Sequence, residues 1–255
     1  MNNDDTTMGG DTGAFKTTYW SMFEEAHAEN GPRNQVLVEF LIKRYWKPVY
    51  CYLRCRGVSN EQAKDLTQGF FHEVVIKKDL VKKADPSKGR FRTFLLTALS
   101  HYHINEYKKE KAKKRHPEQR LVSLDSIKKM NLPQFVSRMT PEDAFTYTWV
   151  SDFLEDVLNQ VGQQLEQDGK EVYWKFFQER LLKPITTGQP PESLQTLCQQ
   201  YHVESTSQAS NMMTTVKRRL QKVLRERLRS MVISDEELED ELYDIRAFLP
   251  SLTQF

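Results

Sequence analysis

Apolar residues recur at the helical period of 3.6 over most of this chain, and strand-like alternation of apolar and polar residues is nearly absent. One stripe predicts a first helix of about six turns that ends near Gly57. Its members are Leu37, Phe40, Leu41, Tyr45, Val49 and Leu53. Similar stripes predict further helices, which begin near Ser59, Phe91, Thr140 and Ser205. We therefore predict an all-α fold.

Capping and turn residues divide this helical pattern into segments. Ser59 with Gln62 three residues later forms a capping box, and Thr140-Pro141 followed by two acidic residues is typical of a helix start. Turn residues at 85–89 and 188–191 predict loops, and a short helix is expected from Glu192 to about Gln200. We predict two helical domains joined by a linker. The ranges are a disordered segment at 1–14, a first domain at 15–116, the linker at 117–139, a second domain at 140–234, and an acidic C-terminal helix and tail at 235–255.

The formal net charge of +2 hides an uneven distribution of charge along the chain. Residues 31–120 hold 21 basic and 9 acidic side chains, and residues 191–234 hold 7 basic and 3 acidic ones. The last segment, 235–255, reverses the balance with 1 basic and 7 acidic side chains. Basic blocks of this kind are typical of surfaces that bind nucleic acid, whereas the whole-chain average gives no such indication.

The composition excludes several classes of protein. The mean hydropathy is −0.67, and no segment approaches the roughly 20 apolar residues of a membrane-spanning helix. The polar, acidic N-terminus is unlike a secretory signal, and three cysteines cannot form a disulfide framework. We therefore expect a cytoplasmic protein with no membrane partner.

Catalytic patterns are missing from the sequence. It contains no H-E-x-x-H, no G-x-S-x-G and no P-loop. His101 and His103 are two residues apart, so on a helix they diverge and cannot form a metal-binding pair. We predict that the chain is not an enzyme and has no cofactor and no metal. A metal-dependent nuclease or deaminase is the catalytic alternative, and no ligand set supports it.

The helix predicted from Phe91 has a polar face opposite its apolar stripe. This face carries Thr97, His101, Lys108, Lys111 and Arg115. Cations neutralise phosphates, while hydroxyl, imidazole and phenol groups contact or stack on bases. The face therefore predicts nucleic-acid binding. A solvated helix face is the alternative, and the interleaved aromatic and hydroxyl side chains count against it.

The helix that begins at Ser59 carries a different polar stripe, made of Glu61, Asp65, Gln68 and His72. It lies opposite the apolar stripe of Ala63, Leu66, Phe70 and Val74. A polar stripe with few cations suits a protein partner better than DNA. The alternative is the ordinary polar face of an amphipathic helix.

Two helices joined by a short turn are predicted around Tyr201–Glu204, as in a helix-turn-helix. The second helix is polar at its start and basic later. Its cations are Lys217, Arg218, Arg219, Lys222, Arg225, Arg227 and Arg229. An ordinary pair of antiparallel helices is the alternative.

Three segments resemble the sigma-70 family of RNA polymerase sigma factors, most closely the extracytoplasmic-function (ECF) type and its planctomycete variants. The segments are Tyr45–Arg54 (YWKPVYCYLR), Asp65–Phe71 (DLTQGFF) and Gly89–Leu96 (GRFRTFLL). Thr18–Ser21 (TYWS) is similar to the opening of that group. The resemblance implies a region 2-like domain at 15–116 and a region 4-like helix-turn-helix domain at 140–234.

The resemblance implies two surfaces in the first domain. Asp65 and Gln68 match the motif whose polar face binds the β′ coiled coil of core polymerase, which implies a polymerase contact at Glu61, Asp65, Gln68 and His72. Phe94 replaces a usual Trp, His101 stands where many members have an Asn that reads the minus-ten element, and Asn105 stands where many have Asp. The loop 84–90 matches one that captures a flipped base. The implied minus-ten contacts are Lys88, Arg90, Arg92, Thr97, His101, Asn105, Lys108, Lys111 and Arg115.

The C-terminal domain departs from the family pattern at two places. His202 stands where members often have Gly, and Ser207–Asn211 replaces a segment with a usual Val-Lys pair. These departures weaken the case for minus-thirty-five recognition. The candidate DNA contacts there are Ser207, Gln208, Asn211, Lys217, Arg218, Arg219 and Lys222.

We therefore predict an ECF-like sigma factor that binds core RNA polymerase through the β′ coiled coil and the β flap, recognises promoter DNA and assists its melting. The family also admits an anti-sigma protein as a partner. The alternative is a helix-turn-helix regulator that binds DNA or RNA and does not contact polymerase.

The acidic tail carries an apolar stripe of Leu238, Leu242, Ile245 and Leu249. One hypothesis is that this helix folds back on Lys217–Arg229 and competes with DNA. The simpler alternative is that it packs to complete the C-terminal domain.

Overall fold

The computed structural model describes residues 32–77, 80–85, 88–114, 139–232 and 234–248. These residues form helices and no strand, so the prediction of an all-α fold is confirmed. Several predicted features lie outside the described residues. They are the segment 1–14, the motif at Thr18–Ser21, Arg115, the linker as far as residue 138, and Leu249.

The helices follow the predicted order. They are α1 (Pro32–Cys55), α2 (Asn60–Phe70), α3 (Leu80–Lys83), α4 (Phe91–Lys114), α5 (Pro141–Gln167), α6 (Glu171–Phe177), α7 (Lys183–Thr187), α8 (Leu194–Gln200), α9 (Thr206–Arg229) and α10 (Asp235–Phe248). A π-helical segment, Phe71–Lys77, continues α2, and another, Gln178–Leu182, joins α6 to α7. None of the described helices is long and apolar enough to cross a membrane.

Short side-chain caps begin several of these helices, as the sequence predicts. The Ser59 hydroxyl accepts a hydrogen bond from the backbone N–H of Gln62 at 3.4 Å, and the Thr140 hydroxyl accepts one from Asp143 at 3.1 Å. Such a cap satisfies one of the N–H groups that a first helical turn leaves unpaired. The prediction that α8 begins at Glu192 is two residues early, because Ser193 caps that helix.

α1 and α5 pack along each other in antiparallel orientation. Three ion pairs link them, Arg44 with Asp156, Lys47 with Asp152, and Arg56 with Glu142. The residue number rises along α1 while that of its partner falls along α5, which fixes the direction of the pair. Apolar residues of both helices, among them Leu41 and Val49 of α1 and Phe153 and Val157 of α5, are buried in the core.

The α1–α5 contact buries an arginine among aromatic rings. Trp149 and Phe153 stack with ring centroids 5.4 Å apart, and the Arg44 guanidinium carbon lies 5.4 Å and 5.0 Å from their centroids. The Arg44 side chain is only 10% exposed and reaches Asp156 at 2.9 Å. Cation–π contacts of desolvated arginines contribute about 2 kcal/mol.

The core is continuous across the two predicted domains. Buried residues of α1, α2 and α4 contact buried residues of α5, α9 and α10 in one apolar cluster. A smaller cluster fills the space between α6, α8 and α9, with Phe176, Leu197, Cys198, Ala209 and Met213 as its buried members. The described helices on either side of the predicted linker therefore share a core.

The turn between α8 and α9 contains a left-handed residue. His202 has φ of +55°, and among the described residues other than glycine no further one has a positive φ. The Val203 N–H donates to the Cys198 carbonyl at 2.9 Å, which completes a Schellman-type helix end with His202 at the position that glycine usually takes. Glycine is common at such helix ends because it adopts the left-handed conformation without a Cβ penalty.

Replacing His202 with a β-branched residue tests this conformation. We expect His202→Val to lower the free energy of unfolding by about 1 kcal/mol, because a β-branched residue tolerates the left-handed region less well than histidine does. Glu204→Val, in the same turn at an exposed residue, is the matched control and should change stability little. Urea denaturation measures both variants, and an equal loss in the two would contradict this explanation.

Candidate nucleic-acid and partner interfaces

The outer face of α4 brings together five of the predicted minus-ten contacts. Thr97, His101, Asn105, Lys108 and Lys111 are all exposed and recur at helical spacing on one side of the helix. Two large apolar side chains share this face, with Ile104 45% and Tyr107 52% exposed. The Lys111 ammonium lies 4.7 Å from the centre of the Tyr107 ring. The face therefore combines cations, hydrogen-bonding groups and an aromatic ring without a large acidic area.

An open cleft of about 520 Å³ runs between α4 and the π-helical segment after α2. His101, Asn105 and Lys108 line one side of it, and Glu73 lines the other. Burial raises the pKa of Tyr102 to about 12, and the nearby carboxylates of Glu106 and Glu73 act in the same direction. The tyrosine is thus a neutral phenol at physiological pH at the floor of the cleft.

α2 and α4 approach each other closely where Gly69 meets Tyr102. A Cβ atom at Gly69 would lie 2.4 Å from the Tyr102 hydroxyl oxygen and 3.6 Å from the ring carbon that bears it. The Tyr102 ring packs on Phe70 with centroids 5.6 Å apart. The missing side chain of Gly69 therefore allows this close contact, which fixes the outer face of α4 relative to α2.

Two other predicted minus-ten contacts, Arg90 and Arg92, lie elsewhere. Arg92 is on the apolar side of α4, and its side chain is 6% exposed. Its Nη2 atom donates to Glu241 at 2.8 Å and also to Asp244, both on α10. Arg90, which precedes α4, donates to Asp244 at 2.7 Å. In this structure α10 occupies the guanidinium groups that were predicted to face DNA.

The Arg92 guanidinium is enclosed on its other side by an aromatic ring. It lies 4.5 Å from the centroid of the Trp149 ring of α5. Burial raises the pKa of the Glu241 carboxyl, against the opposing effect of Arg92 and Arg90. Removing one partner of a buried ion pair costs about 3–5 kcal/mol, since the other charge is left uncompensated.

Lys88 and Arg115 complete the predicted minus-ten set. Lys88 is 81% exposed and pairs with Asp85 at 3.2 Å in the loop before α4. Arg115 lies outside the described residues.

The predicted partner stripe on α2 lies at the surface. Glu61, Asp65, Gln68 and His72 are all exposed, whereas Ala63, Thr67 and Phe70 are buried on the opposite side. Glu61 pairs with Lys64 at 3.0 Å. Beside this stripe, Trp46 of α1 is 37% exposed and stacks on Phe71 with centroids 6.0 Å apart. The face is polar and acidic with an aromatic edge.

The predicted helix-turn-helix contacts lie along α9, and most of them are accessible. Ser207, Gln208, Asn211, Arg218 and Lys222 are exposed, and Lys217 and Arg219 are half-buried at the two edges of this face. Arg219 pairs with Asp168 at 2.6 Å. The accessible residues therefore form a polar and basic ridge from the start of α9 to its middle.

The ion pairs between α10 and α9 lie in the last part of the basic segment of α9. The buried stripe of α10 is Leu238, Leu242 and Ile245, as the sequence predicts. Ion pairs join Arg225 to Glu239 at 3.1 Å and Arg229 to Asp235 at 2.7 Å. These contacts leave Arg218 and Lys222 exposed. α10 is therefore placed over the start of α4 rather than over the ridge of α9.

The sequence interpretation missed Glu241 and Asp244 of α10, Trp149 of α5 and the close approach at Gly69. One signal for Glu241 was present, because it lies three residues after Leu238 and four before Ile245. An acidic residue on an apolar stripe needs a cationic partner in the core. No pattern in the sequence identifies Arg92 as that partner, since it lies more than a hundred residues away.

Comparison of the chain with protein-family models, with curated proteins and with solved structures gave no match.

The contact between Gly69 and Tyr102 is open to a double-variant test. We expect Gly69→Ala to lower the free energy of unfolding by about 1–3 kcal/mol, since the new methyl group overlaps the tyrosine hydroxyl. In a Tyr102→Phe background the same substitution should be neutral or stabilising by up to about 1 kcal/mol, because alanine is the better helix former. Urea denaturation of the four proteins gives the coupling energy, and additive effects would rule out the contact.

Proposed function

We propose that this chain is a sigma factor of ECF type, which binds core RNA polymerase, recognises promoter DNA and assists its melting in the cytoplasm. The polymerase performs the chemistry, and the chain itself has no catalytic role. The proposal starts from the resemblance of three sequence segments to the sigma-70 family.

The observation that carries the proposal is the outer face of α4. Strand opening requires groups that hold phosphates and groups that hold unstacked bases. Lys108 and Lys111 are suited to phosphates, while His101, Asn105 and Tyr107 offer hydrogen bonds and a stacking surface beside an open cleft.

The arrangement of α2 beside α4 gives the proposal its mechanism. The α2 stripe binds the β′ coiled coil, and the close Gly69–Tyr102 contact transmits the position of α2 to α4. Binding to polymerase would then place the α4 face at the minus-ten element. The ridge of α9 binds upstream DNA through phosphates, and the C-terminal part of the chain contacts the β flap.

A second candidate is a helix-turn-helix regulator that binds DNA or RNA without polymerase. The five-residue connection between α8 and α9 and the exposed ridge of α9 favour it. The two functions differ in one observation. Mixing the purified chain with core polymerase and genomic DNA yields promoter-specific run-off transcripts from a sigma factor and none from the regulator.

The proposed polymerase contact predicts a loss of binding without a loss of folding. We expect Asp65→Ala combined with Gln68→Ala to weaken binding to core polymerase about tenfold or more, since interface hot spots cost about 2 kcal/mol or more each when truncated. Both side chains are exposed, so thermal stability should hold. Co-purification and a fluorescence titration with core enzyme measure the effect.

A matched control is available on α5. Gln163 and Glu166 are an exposed amide and carboxylate three residues apart, like Asp65 and Gln68 in reverse order. Their double alanine variant removes the same charge from another face and should bind core polymerase normally. Equal affinity of both double variants for polymerase would reject the α2 contact.

The α4 face predicts two different effects on DNA binding. We expect His101→Ala to change the preference at one base position of the minus-ten element by about 1–3 kcal/mol. Lys111→Ala should lower affinity evenly across promoter variants and reduce the slope of log K against log salt by about 1. Titration of polymerase complexes with a set of single-base promoter variants measures both. Parallel shifts for the two substitutions would contradict the assignment of His101 to base reading.

A further inference from the structure

The contacts between α10 and the start of α4 connect the most acidic helix of the chain with the proposed minus-ten surface. Glu241 and Asp244 lie one turn apart on α10 and converge on Arg90 and Arg92. Side-chain ion pairs therefore join α10 to the start of α4. The link joins positions about 150 residues apart in sequence, such as Arg92 and Asp244.

The carboxylate pair resembles a phosphate group in its hydrogen bonding. A guanidinium binds carboxylate and phosphate oxygens through the same N–H groups, and with similar geometry. Glu241 and Asp244 together present closely spaced acceptor oxygens to both arginines. A nucleic-acid backbone that reached the start of α4 would compete for these donors. While the ion pairs are intact, Nη1 of Arg90 and Nη2 of Arg92 donate to α10.

α10 is held by a buried apolar stripe and by ion pairs of its acidic residues. Leu238, Leu242 and Ile245 are buried against α9 and α5, whereas its polar side is exposed and acidic. Its start is only a few residues from the end of α9, so a displaced α10 stays close to its site. A tethered competitor of this kind acts at a high effective concentration.

We propose that α10 is an intramolecular competitor of DNA, whose residues Glu241 and Asp244 occupy the phosphate-binding groups of Arg90 and Arg92. DNA engages the full basic surface at the start of α4 only after α10 has left. This inference rests on the proposed function, because it concerns the regulation of the same DNA-binding surface. It differs from the sequence hypothesis in its target, which is α4 and not the ridge of α9.

Hydrogen exchange of the native chain tests the competition without any substitution. The probe is a labelled duplex of about 30 base pairs with a central unpaired bubble. We expect its binding to increase amide exchange in residues 235–248 and to decrease exchange in α4. If the duplex binds and exchange in 235–248 stays unchanged, α10 is a permanent part of the fold and the inference is overturned, while the proposed function stands.

A pair of full-length variants adds a measure of the strength of competition. Glu241→Gln with Asp244→Asn should increase affinity for the bubble duplex about tenfold or more. The control, Glu236→Gln with Asp240→Asn, removes the same two charges from the exposed side of α10 and should increase affinity less than about threefold. An equal increase for both variants would show a general effect of charge and would overturn the inference.

The experiments separate the inference from the function on which it rests. If neither the native chain nor any variant binds the duplex in the presence of core polymerase, the proposed function fails and the inference fails with it. If the Glu241/Asp244 variant is unfolded by circular dichroism, the exchange experiment on the native chain alone decides between competition and a permanent contact.

Discussion

The structure depends on the burial of one arginine between two helices that are far apart in sequence. Arg44 of α1 lies over Trp149 and Phe153 of α5 and pairs with Asp156 at 2.9 Å. A buried cation is stabilised by a nearby opposite charge, so this pair favours the register in which α1 and α5 meet. This pair places the two halves of the chain on one core. It thereby holds the basic faces of α4 and α9 on a single body.

Features encoded within a few residues could be predicted from the sequence. The caps at Ser59 and Thr140 and the exposed stripe around Asp65 follow from side-chain chemistry and helical periodicity alone. The same holds for the outer face of α4, because it lies opposite a clear apolar stripe. The positions of the main helices and most residues of the proposed surfaces could therefore be predicted from local sequence.

Features that need two distant segments could not be predicted in this way. Arg92 lies three residues before Leu95 and seven before Leu99, which places it on the apolar side of α4. Its charge nevertheless led to its prediction as a DNA contact. Its acidic partners are about 150 residues away, and no local pattern names them. The core that the two predicted domains share could not be predicted for the same reason. The linker between the predicted domains gave no sign that α5 returns to α1.

The α1–α5 pair also constrains how the chain folds during synthesis. Its ion pairs join residues that are separated by 86 to 112 positions, so α1 is made long before its partner. At a synthesis rate of about 5–20 residues per second, the apolar stripe of α1 waits roughly 5–20 s for α5. During that interval α2, α4 and any bound chaperone are its available partners. Contacts between residues so far apart in sequence form slowly. We therefore expect ribosome-associated chaperones to bind the nascent first half of this protein.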